Sequence, residues 1–130
     1  MKGTAFITGA TSGFGEAIAR TLSREGYKIV ALARRKERLE TLVKELGNTH
    51  IIVADIRDKK AVFDGVANLP QEFRDIEVLV NNAGLALGLE GVAETSIEDF
   101  EAMVDTNIKG FLYSTKAVRP GKFTAALFMP

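Results

Sequence analysis

Thr8-Gly9-Ala10-Thr11-Ser12-Gly13-Phe14-Gly15 is the stretch on which the fold turns. Ahead of it runs Ala5-Phe6-Ile7, a short unbroken apolar segment of the kind found in strands covered on both faces. Behind it Phe14, Ile18 and Leu22 recur every four residues, the spacing of a helix with one buried side. A glycine-rich turn between a strand and a helix lets backbone N–H groups approach an anion closely, and the unpaired amides and dipole at the helix mouth add partial positive charge. Thr11 and Ser12 contribute hydroxyl donors. An isolated turn of this kind would merely cap a helix, but here strand, spacing and helix agree. The whole loop, Gly9, Ala10, Thr11, Ser12, Gly13, Phe14 and Gly15, is therefore the candidate grip on the pyrophosphate of a dinucleotide. Its G-x-x-x-G-x-G spacing differs from the commoner G-x-G-x-x-G, and the lack of a Gly-Lys-Ser/Thr ending argues against a nucleoside-triphosphatase loop.

Working outward, Ile29-Val30-Ala31-Leu32, Ile51-Ile52-Val53-Ala54 and Val78-Leu79-Val80 repeat the apolar strand pattern. Between them Leu39, Leu42, Val43 and Leu46, then Val62, Val66 and Leu69, keep helical spacing. A fourth helix opens at Thr95-Ser96-Ile97-Glu98, read as a capping box, and runs through Phe100, Met103, Val104, Ile108, Phe111 and Leu112 towards Pro120-Gly121. Strand alternating with helix is the grammar of an α/β fold: a parallel sheet of four strands with right-handed crossovers and helices on both faces. The longest connection, residues 81–94, follows the fourth strand.

The 130 residues suit one domain, able to bury roughly two-thirds of the unfolded surface. Lys+Arg and Asp+Glu both number 17, so no net charge draws the chain to nucleic acid or to an anionic membrane, and small molecules are the expected partners. With no cysteine and one histidine, His50, a thiolate nucleophile, a disulfide framework and a zinc cluster are excluded, and no metal site is expected. No apolar run approaches the ~20 residues of a membrane span, and a cytoplasmic location is expected.

At the end of the second strand, ~20 residues beyond the glycine loop, a site for NAD carries an acid that accepts from the ribose 2′-hydroxyl. This chain has Ala33-Arg34-Arg35. Arg34, Arg35, Lys36 and Arg38 could simply be a solvated helix start, yet cations there oppose the helix dipole and suit a bound anion. Arg34 and Arg35 favour a 2′-phosphate, hence NADP(H).

Three further motifs follow the glycine loop in order: Asp55-Ile56 after the third strand, Asn81-Asn82-Ala83-Gly84 after the fourth, and Asn107 within Asp105-Thr106-Asn107-Ile108-Lys109-Gly110. Together they make residues 3–121 resemble the short-chain dehydrogenase/reductase family. The resemblance implies a partial Rossmann fold with strand order 3-2-1-4. It also implies an adenine site at Asp55 and Ile56, a ribose site at Asn82, Ala83 and Gly84, and an active-site Asn107 that keeps a water in a proton relay. The run from Asn81 to Glu90 together with Ala33-Arg34-Arg35 is similar to the subgroup of NADP-dependent 3-hydroxy acid dehydrogenases, whose substrates are small hydroxy acids.

Relatives of that kind also carry a catalytic serine and a Tyr-x-x-x-Lys pair beyond a fifth strand, and residues 122–130 do not resemble the family at the corresponding positions. Tyr113 and Lys116 share a helix face but sit beside Asn107 on one helix, so they are expected to be ordinary helix residues. The chain is accordingly expected to be truncated and to lack turnover alone. Two alternatives stand beside this: a nucleotide-binding or interaction module that pairs with a full-length relative, and an enzyme completed in trans by another chain. Val78-Leu79-Val80 is expected to be an open sheet edge, and Phe100, Met103, Val104 and Phe111 an apolar stripe, so a homo-oligomer is expected.

Overall fold

The computed structural model describes residues 2–84, 94–118 and 125–128. Ala5-Phe6-Ile7 lies in β1 (Thr4–Thr8), whose five residues are all buried at the centre of the sheet. β2 (Lys28–Ala33) and β4 (Ile76–Asn81) flank it, and β3 (Thr49–Val53) lies outside β2, every pairing being parallel. The order 3-2-1-4 is as expected.

A fifth strand extends it: β5 (Ala125–Phe128) pairs with β4 in parallel, from Val78 opposite Ala125 to Asn81 opposite Phe128. This corrects both the four-strand expectation and the expected open edge. Ala125-Ala126-Leu127-Phe128 is short, but its backbone groups occupy the donors and acceptors that β4 would otherwise present.

Side chains alternate across the sheet and so build two cores from one apolar run. Phe6, Val30, Leu32, Ile52 and Leu79 join Val62 of α3 (Lys59–Ala67) and Val118 of α5 (Phe111–Val118) on one face. Ala5, Ile7, Ile29, Ala31 and Val80 join Ala19 of α1 (Gly13–Arg24) and Leu39 and Leu42 of α2 (Lys36–Leu46) on the other. Continuous apolar strands are thus required by burial on both faces.

The expected fourth helix is in fact three pieces. α4 (Ile97–Val104) is capped by Ser96, whose side chain accepts from Asp99 N at 3.1 Å, one residue later than the expected Thr95/Glu98 box. Both frames occur in Thr95-Ser96-Ile97-Glu98-Asp99, and spacing alone does not choose between them. α4 then widens into a π-helical turn, Asp105–Gly110, before α5 resumes the ordinary pitch. Such turns insert an extra residue and are common at functional sites. Of the long connection after β4, residues 85–93 lie outside the described residues, as do residues 119–124 and 129–130 of the tail. No helix among the described residues is long and apolar enough to cross a membrane.

Thr4 is fully buried in β1 and its hydroxyl has no hydrogen-bond partner. An unpaired buried hydroxyl carries a desolvation cost that an isosteric methyl does not. Thr4→Val is therefore expected to raise unfolding free energy by about 1 kcal/mol in urea denaturation, through a higher midpoint at unchanged slope.

Candidate functional site

The carboxyl ends of β1, β2, β3 and β4 open into one cleft of about 410 Å³, the usual ligand position in an open parallel sheet. At one end β1 turns sharply at Gly9, whose φ of 62° lies in the left-handed region that favours glycine. The Gly9 carbonyl then accepts from Ser12 N at 3.2 Å, Ser12 Oγ at 2.9 Å and Asn82 Nδ2 at 3.0 Å. These bonds close the loop. They also commit the Ser12 hydroxyl to the loop, so Ser12 gives α1 no side-chain cap. A Cβ on Gly13 would meet nothing within 4 Å, so the first turn of α1 is open on that side. An uncapped helix mouth of this kind suits an anion.

The loop residues divide by role. Gly9, Thr11 and Ser12 line the cleft. Ala10 is fully buried in the second core, and Phe14 is 71% exposed and outside the lining. Gly15 is buried against the loop, where an added Cβ would lie 2.1 Å from the Gly9 carbonyl oxygen. Its glycine is a packing requirement, and it lies outside the cleft lining.

Thr8, which the loop motif alone does not single out, holds the two halves together. Its hydroxyl accepts from Asn82 N at 3.1 Å and Ala83 N at 3.0 Å, and donates to the Val80 carbonyl at 3.4 Å. Asn82-Ala83-Gly84 is thereby fixed beside the glycine loop, with Ala83 and Gly84 lining the cleft and Asn82 behind them. Asn81 serves a different end. Buried at the close of β4, it accepts from the Ser114 hydroxyl and donates to Thr115 Oγ1 at 3.3 Å, fastening α5 to the sheet.

Across the cleft stand Arg34 and Arg35, exposed at the end of β2, with Arg38 half a turn into α2 beside them. On the β3 side Asp55, Ile56 and Arg57 line the same space, and buried Thr106 completes it from the π-turn. Arg57 and Thr106 were not among the candidate residues, whereas Arg38 was, as one of the cations suited to a bound anion. Arg38 is recognisable only as the cation that follows Arg34 and Arg35 onto the first turn of α2, while Arg57 and Thr106 carry no pattern of their own. Asn107 lies half-buried on the π-turn next to Thr106 but does not line the cleft. Tyr113 packs against the first core and Lys116 is exposed, in keeping with ordinary helix residues.

Asp55 is the one carboxylate among the described lining residues, and Arg57 holds it with Nε at 3.0 Å from Oδ1 and an NH2 group at 2.7 Å from Oδ2. That hydrogen-bonded guanidinium keeps the Asp55 carboxyl below its ordinary range. A depressed folded pKa means the pair's contribution is present above pH ~4 and is lost as pH falls through the folded value. Asp55→Asn is expected to cost under about 1 kcal/mol at pH 7, because both groups are partly solvated. In urea melts run at descending pH, the gap between variant and parent closes below pH ~4.

Four arginines against one already-paired carboxylate give the cleft a positive field suited to phosphates. Residues 3–123 match the family model for short chain dehydrogenases. The chain belongs to the short-chain dehydrogenase family. Among other members, it is 53% identical over 116 residues to the NADP-dependent 3-hydroxy acid dehydrogenase YdfG of Salmonella typhi, covering 88% of this chain and 47% of that one. It is 51% identical over 121 residues to the serine 3-dehydrogenase of Agrobacterium fabrum, covering 92% and 49%. The closed form of a serine dehydrogenase complexed with NADP+ superposes with a TM-score of 0.88 at 45% identity, over 94% of this chain and 52% of that one. The chain spans about half the length of the curated family members it matches.

Proposed function

We propose that this chain is the NADP(H)-binding part of an oxidoreductase acting on a small hydroxy acid or similar secondary alcohol, and that these 130 residues bind cofactor without turning substrate over. The observation that carries the proposal is a single cleft with an uncapped helix mouth at one end and Arg34, Arg35 and Arg38 at the other. The residues fit a 2′-phosphorylated dinucleotide: Gly9, Thr11 and Ser12 with the first amides of α1 for the pyrophosphate, the arginines for the 2′-phosphate, Asp55 and Ile56 for the adenine, and Ala83 and Gly84, backed by Asn82, for the ribose. The names of the relatives, NADP-dependent 3-hydroxy acid dehydrogenase and serine 3-dehydrogenase, support the cofactor and the substrate class.

Held by these residues, the cofactor would supply hydride exchange with an alcohol or carbonyl carbon. The part of this chain is to orient it and exclude water from the adenosine end, with Asn107 holding a water for proton transfer. No Tyr-x-x-x-Lys occurs in the 130 residues, and Tyr113 is committed to the core, so the proton donor must come from elsewhere. Calorimetric titration with NADP+ and NAD+, beside an assay with a 3-hydroxy acid, tests both halves. Tighter binding of NADP+ by at least tenfold with no turnover is expected; absence of binding overturns the first half, and turnover by these residues alone overturns the second.

A specific observation supports pairing with another chain. Of the expected stripe Phe100 and Phe111 are exposed while Met103 and Val104 are half-buried. Ile97, Phe100, Ile108 and Leu112, at 68%, 54%, 61% and 48% exposed along α4, the π-turn and α5, form an apolar stripe that water disfavours. Self-association of the purified chain is expected by light scattering, and a monomer at all concentrations would contradict it.

A further inference from the structure

The π-turn belongs to two places at once. Thr106 is one of its residues and lines the adenosine end of the cleft with Ile56 and Arg57. Asn107 follows directly, and Gly110 closes the turn. Gly110 is buried on Ile56: a Cβ there would lie 2.9 Å from Ile56 Cγ2, 3.0 Å from Cγ1 and 3.2 Å from the Ile56 carbonyl oxygen. No side chain fits that gap unless the Ile56 side chain, the turn or the β3–α3 connection shifts. Four residues on, the Ser114 hydroxyl donates to the Asn81 side chain and so fastens α5, into which the turn runs, to the end of β4. Lys109 and Asp105 pair at 3.2 Å across the turn, which ties its first residue to its fifth. Asn107 therefore lies on a short arch, the π-turn, which rests on Ile56 through Gly110 and runs on into α5, itself tied by Ser114 to the end of β4.

We propose that Gly110 and Ile56 are positioning residues for Asn107, so that filling the adenosine end of the cleft resets Asn107 through the arch although Asn107 does not line the cleft. This rests on the NADP(H)-binding reading above. A packed contact transmits displacement because neither side can compress. A ligand pressing on Ile56 and Thr106 must shift the arch as a unit.

Adenosine 2′,5′-bisphosphate is the probe, because it offers adenine and the 2′-phosphate but no nicotinamide to touch Asn107 directly. With the isotopically labelled 130-residue chain, the backbone amide and side-chain NH2 resonances of Asn107 are expected to move with those of Ile56, Thr106 and Gly13 at one shared Kd. In Gly110→Ala the Asn107 resonances are expected to be displaced before ligand is added and to lose at least half their response, while Gly13 still responds. Ile56→Ala, which withdraws the other side of the contact and also weakens the adenine site, is titrated until Gly13 saturates and gives the same loss at Asn107 if Gly110→Ala does not fold. The double variant, in which the space left at position 56 admits the new methyl, restores the Asn107 response. Saturation that shifts Gly13 and Ile56 but leaves Asn107 still, or an undiminished response in Gly110→Ala, overturns this inference alone. A chain in which no resonance shifts overturns the cofactor reading and this one with it.

Discussion

Gly15→Ala is expected to cost about 3 kcal/mol of unfolding free energy and to abolish detectable nucleotide binding. The new Cβ would stand 2.1 Å from the Gly9 carbonyl oxygen, 2.5 Å from Asn82 Nδ2 and 2.9 Å from the Gly9 carbonyl carbon. Two of these are backbone atoms of a turn already set in a left-handed conformation, so no side-chain rotation relieves the clash. Either α1 lifts off β1 or the loop opens. Lifting the helix sacrifices apolar burial, and opening the loop breaks the three bonds converging on the Gly9 carbonyl. Both outcomes move the helix mouth away from the cleft, so stability and binding fall together. A fall in melting temperature of roughly 10 °C is the companion observation in a thermal scan. Gly13→Ala is the control. The same methyl meets nothing within 4 Å there, and stability is expected to stay within about 1 kcal/mol of the parent.

Replacing Arg34 and Arg35 together by alanine is expected to weaken NADP+ binding about 100-fold while changing NAD+ binding less than about threefold. Charge-assisted hydrogen bonds to a phosphate contribute about 1.5 kcal/mol each at exposed positions, and two of them amount to roughly two decades in Kd. Arg34 and Arg35 are exposed and stand at the end of β2, so removing them opens no cavity and leaves the melting temperature close to the parent's. Parallel titrations with both cofactors report the ratio. Raising the salt concentration should narrow the parent's preference in the same direction, because exposed charges are screened within about 10 Å at 0.1 M. A double variant that weakens both cofactors equally would place the 2′-phosphate elsewhere, with Arg38 and Arg57 the remaining cations in the cleft.

The two-sided burial of the sheet was legible because Ile29-Val30-Ala31-Leu32 and its fellows are apolar at every position, and only coverage on both faces makes such runs stable, whereas the strand order 3-2-1-4 came from the family resemblance alone. The glycine loop was legible because left-handed backbone and close approach restrict the residue type so strongly at Gly9 and Gly15. Arg34 and Arg35 were legible from their register at the end of β2. Arg57 and Thr106 were not, since an arginine after a strand and a threonine inside a helix are ordinary in any local window. Their place in the cleft depends on where β3 and the π-turn come to rest. The capping frame at Ser96 and the splitting of the fourth helix were likewise undecided, because competing local patterns differ by about 1 kcal/mol or less.

What the sequence by itself determined is the order of the elements and the chemistry available at the strand ends, since period and residue type act over a few neighbouring positions. What only the tertiary structure decided is which loop residues face the cleft, how Arg57 neutralises Asp55, how β5 covers β4, and how Gly110 seats Asn107's turn on Ile56. Each of these is a contact whose geometry is set by the packing of whole elements rather than by any local preference.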